Sequence, residues 1–441
     1  MGYDIEQIKD MAQTAIKAAK DADEVEVFAT IGRGISVETH KDSINLAKES
    51  GFHGMGIRAV VNGAVGFAST NDLDRIKDAV GMAISSARLR GRDSDWKSLP
   101  TKQSYPNVSG IFDPKIDALD LNAAIDCALQ VLDGAQSIDG TTPMSGSFAC
   151  SSSTTYILNS NDVEVQESAT AVSAYFEALA KDRDVSSAYE FDTSRHFDLD
   201  LSAIGEKAAI LAKKSLNGTS IETMQTTVLL RPKAISDLLN SAFLPSVDAD
   251  SVQKGRSVLV KRIGEKVAGE NISLIDDGLL PGGIGTSASD DEGTPSKRTE
   301  LITDGVLNTY LYDSYTAGKD NVESTGNGVR NSYSSTPSVG TTNLLLKTDS
   351  YDIIGDTAKG VIIDTVIGAH TANSLTGDFS VECRNAFLVE NGEITKPIQS
   401  LMISANIFDV LNNINGMGTD VRSIGGVVTP TVRIEKMQVV G

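Results

Sequence analysis

The feature that most constrains the fold is a pattern that occurs twice in the first half of the chain. Apolar residues recur at helical spacing over 4–20, alternate with polar residues in the strands that follow, and return to helical spacing over 71–90. Asn62-Gly63 lies between two of these strands and predicts a hairpin turn. The same order of helix, strands and helix is predicted again over 111–220. The pattern therefore indicates a duplicated unit of helices and antiparallel strands.

The second half of the chain has a different character. After a predicted strand and helix that begin near Thr226, short apolar runs are broken by Gly, Asn, Asp and Thr. We interpret residues 224–441 as a large, mainly antiparallel β domain. The fold class is α+β, with an N-terminal domain at 1–100, a polar linker around 96–110, a central domain at 111–220 and this C-terminal domain.

Composition limits the partners and the compartment. Fifty-nine Asp and Glu oppose 39 Lys and Arg, which gives a net charge of −20. No run of basic residues exceeds two, so the chain is not expected to bind nucleic acid. Three widely separated cysteines indicate a reducing compartment. Because neither a signal peptide nor a membrane span is predicted, we expect a cytoplasmic protein with no membrane partner.

Three adjacent carboxylates, Asp290, Asp291 and Glu292, are the candidate site that stands out from residue type. Oxygen ligands of this kind suit Mg²⁺ or Ca²⁺, but neighbouring residues on a strand point to opposite faces. We favour the interpretation that these acids organise a loop at the start of a hairpin. The four histidines include no pair at helical spacing, and no nucleophile elbow or phosphate-binding loop is present. Residue spacing alone defines no catalytic site.

Two long stretches carry a family resemblance. They are "DDEGTPSKRTELITDGVLNTYLYDSYTA" followed by "STGNGVR", and "ANSLTGDFSVECRNAFLVENGEITKPIQSLMISANIFDVLNNI". In sequence and order they resemble the TldD/PmbA family, also called modulators of DNA gyrase. "SGFHGMGIRAVVNGAVGFAST" is similar to the family's first domain, so the resemblance covers nearly the whole chain.

The resemblance also implies what this chain lacks. Members of the TldD kind carry an HExxxH helix that binds zinc, with a carboxylate as general base. Here Asn240 stands at the first His position, Ser241 at the Glu position and Pro245 at the second His position. The late cysteine ligand is also missing from 415–426. The chain therefore resembles the other kind, TldE or PmbA, with no metal site or catalytic residue of its own and with zinc expected only in a TldD-type partner.

The resemblance implies that the two kinds of family member form a heterodimer, and that this heterodimer cleaves unfolded or small peptides in an enclosed cavity. The alternatives are a stand-alone homodimer that binds peptides without cutting them, and a hydrolase with an oxygen-ligated metal at 290–292. We expect Arg298 or Arg330 to pair with the acids, and Gly326 and Gly328 to form a tight turn. The candidate peptide-binding or cavity residues are Asp291, Glu292, Arg298, Tyr315, Thr325, Asn327 and Arg330.

Overall fold

The computed structural model describes residues 3–441. Its first half is built on one six-stranded antiparallel sheet in the order β3-β2-β1-β4-β5-β6. The strands are β1 (Glu24–His40), β2 (Ser43–Val61), β3 (Ala64–Thr70), β4 (Thr141–Asn159), β5 (Glu164–Lys181) and β6 (Val185–Ser194). The two predicted units thus contribute three strands each, and β1 joins β4 at the centre. The predicted hairpin is confirmed, since β2 and β3 pair on either side of Asn62-Gly63.

The helices of this N-terminal half are α1 (Ile5–Ala18), α2 (Ile76–Leu89), α3 (Pro114–Asp117), α4 (Leu121–Gln136) and α5 (Leu201–Lys214). Each of the long helices has an apolar stripe that packs on the sheet. α1 and α2 cover one end of the strands, where Val25 and Val27 are buried. α4 and α5 cover the other end, where Ile35 and Val37 are buried. These four strand residues share one face of β1, so the opposite face is left for the C-terminal half.

The C-terminal half is rich in strands, as predicted. They are β7 (Met224–Leu230), β8 (Ser273–Asp277), β9 (Arg298–Thr303), β10 (Val306–Leu307), β11 (Gly328–Val329), β12 (Ser338–Val339), β13 (Leu344–Lys347), β14 (Lys359–Ile367), β15 (Asp378–Glu390), β16 (Glu393–Pro397), β17 (Leu401–Asn406), β18 (Ile414–Met417), β19 (Arg422–Ile424), β20 (Val427–Thr429) and β21 (Val432–Val440). Five of them close into a ring, β14-β7-β21-β17-β15, because β14 also pairs with β15. Only the β14–β7 and β13–β20 pairs are parallel.

Short helices join these strands. They are α6 (Pro232–Leu238), α7 (Leu244–Val247), α8 (Ala249–Gln253), α9 (Ser314–Asp320) and α10 (Ile407–Asn413). Leu239–Phe243 forms one turn of π-helix between α6 and α7, so 232–247 is a continuous helical segment. The largest apolar core of the molecule lies between this segment and the β14-β7-β21-β17-β15 ring. Within residues 3–441, no helix combines the length and hydropathy that a bilayer crossing requires.

Candidate functional site

The three predicted carboxylates lie in a buried loop, 287–297, that faces the N-terminal sheet. Asp290 accepts hydrogen bonds from the amides of Glu292 and Thr294 with one oxygen, and from the amide of Gly328 with the other, over 2.9–3.0 Å. Asp291 accepts a hydrogen bond of 2.7 Å from the amide of Arg330. The acids therefore tie their own loop to the segment 326–330, as the loop interpretation predicts.

Glu292 reaches across to the sheet instead. It is fully buried and forms a salt bridge of 2.8 Å with Arg58 on β2. Arg58 also bonds Glu26 on β1 at 2.5 Å, and Glu26 in turn pairs with Arg330. Two arginines and two glutamates thus alternate along a chain of three ion pairs, which we call the junction cluster. A buried charge without a partner would be strongly unfavourable, and in this cluster each charge has at least one.

Electrostatics differ sharply among the neighbouring acids. Burial alone would raise the pKa of Glu292, but Arg58 and the amide of Ser314 hold it below its usual value. Burial raises the pKa of Asp291 to about 6, against the opposing hydrogen bond from Arg330. Asp313 is the N-cap of α9, and burial and the charge of Glu292 raise its pKa to about 6. The same two causes raise the pKa of Asp290 well above its usual value. Among Asp290, Asp291, Glu292 and Asp313, Glu292 is therefore the one whose charged form its surroundings favour.

This geometry does not suit a metal ion. The oxygens of Glu292 face a guanidinium and an amide, and those of Asp290 face three amides. Among residues 3–441, no three His, Cys, Asp or Glu side chains are close enough to hold a cation together. The residues at 290–292 thus do not fit the ligand set of the oxygen-ligated hydrolase hypothesis.

The face of the sheet opposite the helices carries small side chains beyond the junction cluster. One row across the strands consists of Gly32, Ser153 and Ala169. The neighbouring row on the same face consists of Gly34, Ser151 and Ala171. These positions are only half-buried. We call the surface formed by these small side chains the floor. Aromatic side chains stand at its borders: Phe52, Tyr333, Tyr175, Tyr189 and Phe191.

A second set of ion pairs joins the two halves at the β6 side of this floor. Lys233, at the start of α6, lies 2.6 Å from Asp364 and 3.7 Å from Glu190 on β6. It also donates a hydrogen bond of 2.9 Å to the carbonyl of Tyr189 and lies over that ring. Arg422 pairs with Glu190 at 2.9 Å. The segment that begins with α6 is therefore anchored directly to the N-terminal sheet.

The π-turn in this segment contains Asn240 and Ser241, and Pro245 follows it at the start of α7. The amide of Leu244 donates to the carbonyl of Leu239, five residues earlier, so residues five apart come to lie one turn above each other. Asn240 is exposed and Pro245 half-buried at this spacing, with Ser241 half-buried beside them. The late segment 415–426 packs against the same helix, where Ser236 donates a hydrogen bond of 3.4 Å to the carbonyl of Ile424.

Comparison with known proteins agrees with this architecture. Family models described as the PmbA/TldA metallopeptidase match in three parts: domain 1 at residues 25–87, the central domain at 114–216 and the C-terminal domain at 223–441. An uncharacterized protein of Methanocaldococcus jannaschii is 34% identical over 413 residues, which cover 94% of this chain and 95% of that protein. The chain belongs to the PmbA/TldD metallopeptidase family.

Two further relatives show how uniform the family is. A metalloprotease PmbA homolog of Haemophilus influenzae is 25% identical over 444 residues, which cover 96% of this chain and 94% of its own length. The crystal structure of TldE from Thermococcus kodakarensis is 25% identical and superimposes with a TM-score of 0.90 over 98% of this chain and 100% of that chain. The α+β fold class predicted from the sequence is thus confirmed.

Three of the seven predicted site residues come together: Glu292 and Arg330 belong to the junction cluster, and Asp291 bonds Arg330 beside it. Arg298 does not join them, because it is exposed on β9 and pairs with Asp277 at 3.0 Å. Of the two arginines that the sequence offered as partners, neither forms a salt bridge with these acids. Arg330 bonds Asp291 through its own backbone amide and through the Asp291 carbonyl, and its guanidinium pairs with Glu26. Asp291 lines a small cavity of about 60 Å³ against the sheet face.

The other predicted residues hold neighbouring segments in place. Tyr315 donates a hydrogen bond of 2.9 Å to Asp93 in the region before the linker. Thr325 accepts a hydrogen bond of 2.7 Å from the amide of Tyr312. Asn327 donates one of 2.7 Å to Asp276 on β8. None of the seven lines the larger cavity of about 510 Å³ between 97–103 and 314–324.

The turn predicted at Gly326 and Gly328 uses one left-handed glycine rather than two. Gly326 has φ of 76°, as predicted, but Gly328 does not adopt a positive φ. Gly328 serves a close approach instead, since a β-carbon there would lie 2.6 Å from an oxygen of Glu292. Sequence analysis missed Glu26 and Arg58, because a charged residue between apolar neighbours in a strand ordinarily points to solvent.

Proposed function

We propose that this chain is the metal-free subunit of a two-subunit peptidase of the TldD/TldE type, in which it pairs with a zinc-bearing TldD-type chain and helps to hold an unfolded or small peptide. The observation that carries the proposal is the amide, hydroxyl and proline at 240, 241 and 245. None of these groups can replace two imidazoles and a carboxylate base. Zinc belongs to the partner in this proposal.

The small-residue face of the N-terminal sheet supports the peptide-holding role. Its glycines, serines and alanines leave room for a main chain, and its hydroxyl groups can bond to peptide groups of any sequence. The aromatic residues at its borders offer apolar contacts to side chains. A site of this kind favours extended peptides with little regard to sequence.

An unpaired strand edge supports the pairing role. β3 pairs only with residues 55–61 of β2, so 43–54 has no strand on its outer side within residues 3–441. Leu46 and Phe52 on this edge are 45% and 41% exposed. A long edge with exposed apolar side chains favours association with another chain.

The test mixes the purified chain with a TldD-type family member. We expect a 1:1 complex by light scattering and faster cleavage of an unfolded peptide than by the partner alone. Ala171→Trp, which fills the sheet face, is expected to lower cleavage while the complex persists, with Ala171→Ser as the matched control. The proposal is wrong if the mixture cleaves no better than the partner, or if this chain alone retains stoichiometric zinc and cleaves peptides.

The second candidate is the homodimer that binds peptides without cutting them. The edge at 43–54 favours it as well, since this strand can associate with a second copy as readily as with a related chain. Light scattering of the isolated chain, followed by titration with a fluorescent unfolded peptide, separates the two. A dimer that binds the peptide and does not exchange into a complex with the TldD-type chain favours this candidate.

A further inference from the structure

A separate cavity lies at the outer side of the boundary between the two halves. It has a volume of about 560 Å³, within the range of small-molecule sites. Its walls come from α5, the start of α6, and strands β6, β14, β15 and β16. It is distinct from the sheet face and from the junction cluster, so an inference about it does not depend on the proposed function.

The charges around this cavity are unbalanced. Its two acids, Glu190 and Asp364, are both bonded to the buried Lys233, and Glu190 also binds Arg422. These four groups neutralise one another. Three further cations then line the cavity, and the salt bridges of residues 3–441 leave them nearly free. Lys207 and Lys214 make none, and Arg231 makes only a long contact of 3.9 Å with Asp364.

The arrangement of these cations is set by the fold. Lys207 and Lys214 are seven residues apart, two turns of α5, and therefore project from the same side of the helix. Arg231 is the N-cap residue of α6 and lies across the cavity from them. In a chain with a net charge of −20, a cavity lined by three cations favours an anionic ligand.

The remaining wall is apolar. Ile210 and Leu211 come from α5, and Phe387 and Ile394 come from the C-terminal sheet. Ile394 is 39% exposed although it lies on an edge strand, where polar residues are usual. A hydrated inorganic anion would gain nothing from this wall, whereas an apolar group attached to an anion would bury it.

We propose that this cavity binds a carboxylate carried on an apolar group. The lysines and Arg231 neutralise the carboxylate, and the apolar group covers Ile394 and Leu211. Two sources share this chemistry: the C-terminus of a peptide with an apolar last residue, and a free organic acid. Both present one negative charge next to an aliphatic body of similar size.

The experiment titrates the full chain by calorimetry with acetyl-Ala-Leu, with its C-terminal amide, and with octanoate. We expect acetyl-Ala-Leu with its free carboxylate, octanoate, or both to bind. The C-terminal amide of acetyl-Ala-Leu should bind at least tenfold more weakly. Binding of acetyl-Ala-Leu alone identifies a peptide terminus, and binding of octanoate identifies a free acid. Equal binding of acid and amide, or no binding of any probe, overturns the proposal.

Variants connect the binding to the cavity. Lys207→Ala with Lys214→Ala is expected to weaken binding about tenfold, because the double variant removes two of the three cations that line the cavity. Lys17→Ala with Lys20→Ala removes the same charge from α1 and the residues after it, and should leave binding unchanged. Ile394→Glu should abolish binding, whereas Val440→Glu, on a different strand, should not. If the two double-lysine variants lose binding to the same extent, only the net charge of the chain matters, and the proposed site is refuted.

Discussion

At the scale of single residues, the junction cluster explains why charged side chains stand inside the molecule. Arg58 lies between Glu26 and Glu292, and Arg330 lies on the far side of Glu26. The aromatic rings of Trp96 and Phe28 cover the two guanidinium groups. Ion pairs that are this deeply buried contribute less to stability than their number suggests, but removal of one member leaves a buried charge without a partner.

Arg58→Met tests this account. We expect the free energy of unfolding to fall by about 3–5 kcal/mol, because two buried glutamates lose a partner. Arg298→Met removes an arginine of a partly exposed pair and is expected to cost about 1 kcal/mol or less. Urea denaturation followed by circular dichroism measures both. Similar losses in the two variants would contradict the role given to Arg58.

Asp291 makes stability depend on pH in a defined direction. Its pKa is about 6 in the folded chain, above its usual value, so the folded state binds more protons than the unfolded state between about pH 4 and 6. The contribution of Asp291 to stability is therefore present at low pH and is lost as the pH rises through 6. The sign is opposite for Glu292, whose lowered pKa makes its contribution disappear in acid.

Asp291→Asn should remove that dependence while it keeps an oxygen that can accept from the amide of Arg330. Relative to the unsubstituted chain, the variant is expected to gain stability between pH 4 and 7, on the order of 1–3 kcal/mol. Urea midpoints at several pH values measure the difference, with exposed Asp42→Asn as the control. A difference that does not change with pH would contradict the raised pKa.

At the scale of elements, the helical segment 232–247 contains a π-turn that changes which of its residues share one side of the helix. The π-turn at Leu239–Phe243 brings residues 240 and 245 to the same side of the helix. Such turns are frequent at functional sites. The π-turn therefore decides which side chains of this segment lie together.

Asn240→His, Ser241→Glu and Pro245→His together test this interpretation. We expect the triple variant to bind zinc at least tenfold more tightly than a control with Pro245→Ala and only one imidazole, because two imidazoles then face one ion. Calorimetry with zinc, together with metal analysis after dialysis, measures the effect. If the triple variant and the control bind zinc equally, residues 240 and 245 do not converge.

At the scale of the whole molecule, two sets of buried ion pairs connect the halves, and the segment 96–105 crosses their boundary. Trp96 donates a hydrogen bond to Glu24 and stacks on Tyr315, and Tyr105 donates one to the carbonyl of Gly293. The segment that the sequence indicates as a linker thus contacts both halves through Trp96 and Tyr105. We expect the two halves to unfold together.

The single tryptophan makes this expectation testable, because Trp96 lies at the junction. Its fluorescence and the far-ultraviolet circular dichroism should report the same urea midpoint, within the error of the measurement. In Arg58→Met, both midpoints should fall by the same amount. A fluorescence transition at lower urea than the dichroism transition would show that the halves separate before they unfold.

The sequence by itself determined the local elements and the fold class. Periods of about four and two residues depend on neighbours along the chain, and they indicated the repeated helix–strand units and the Asn62-Gly63 hairpin. The family resemblance added that Asn240, Ser241 and Pro245 stand at the His, Glu and His positions of the HExxxH motif. All of these are properties of single segments, so no long-range contact was needed to recognise them.

Only the tertiary structure decided how those segments meet. That the two units share one sheet depends on the distant pairing of β1 with β4, and that Glu292 is bonded to Arg58 rather than to a nearby arginine depends on a pair 234 residues apart in the chain. The cationic cavity likewise combines α5 with Arg231 and Ile394. A charged residue in a strand has the same local pattern whether it meets water or an opposite charge, and only packing distinguishes the two.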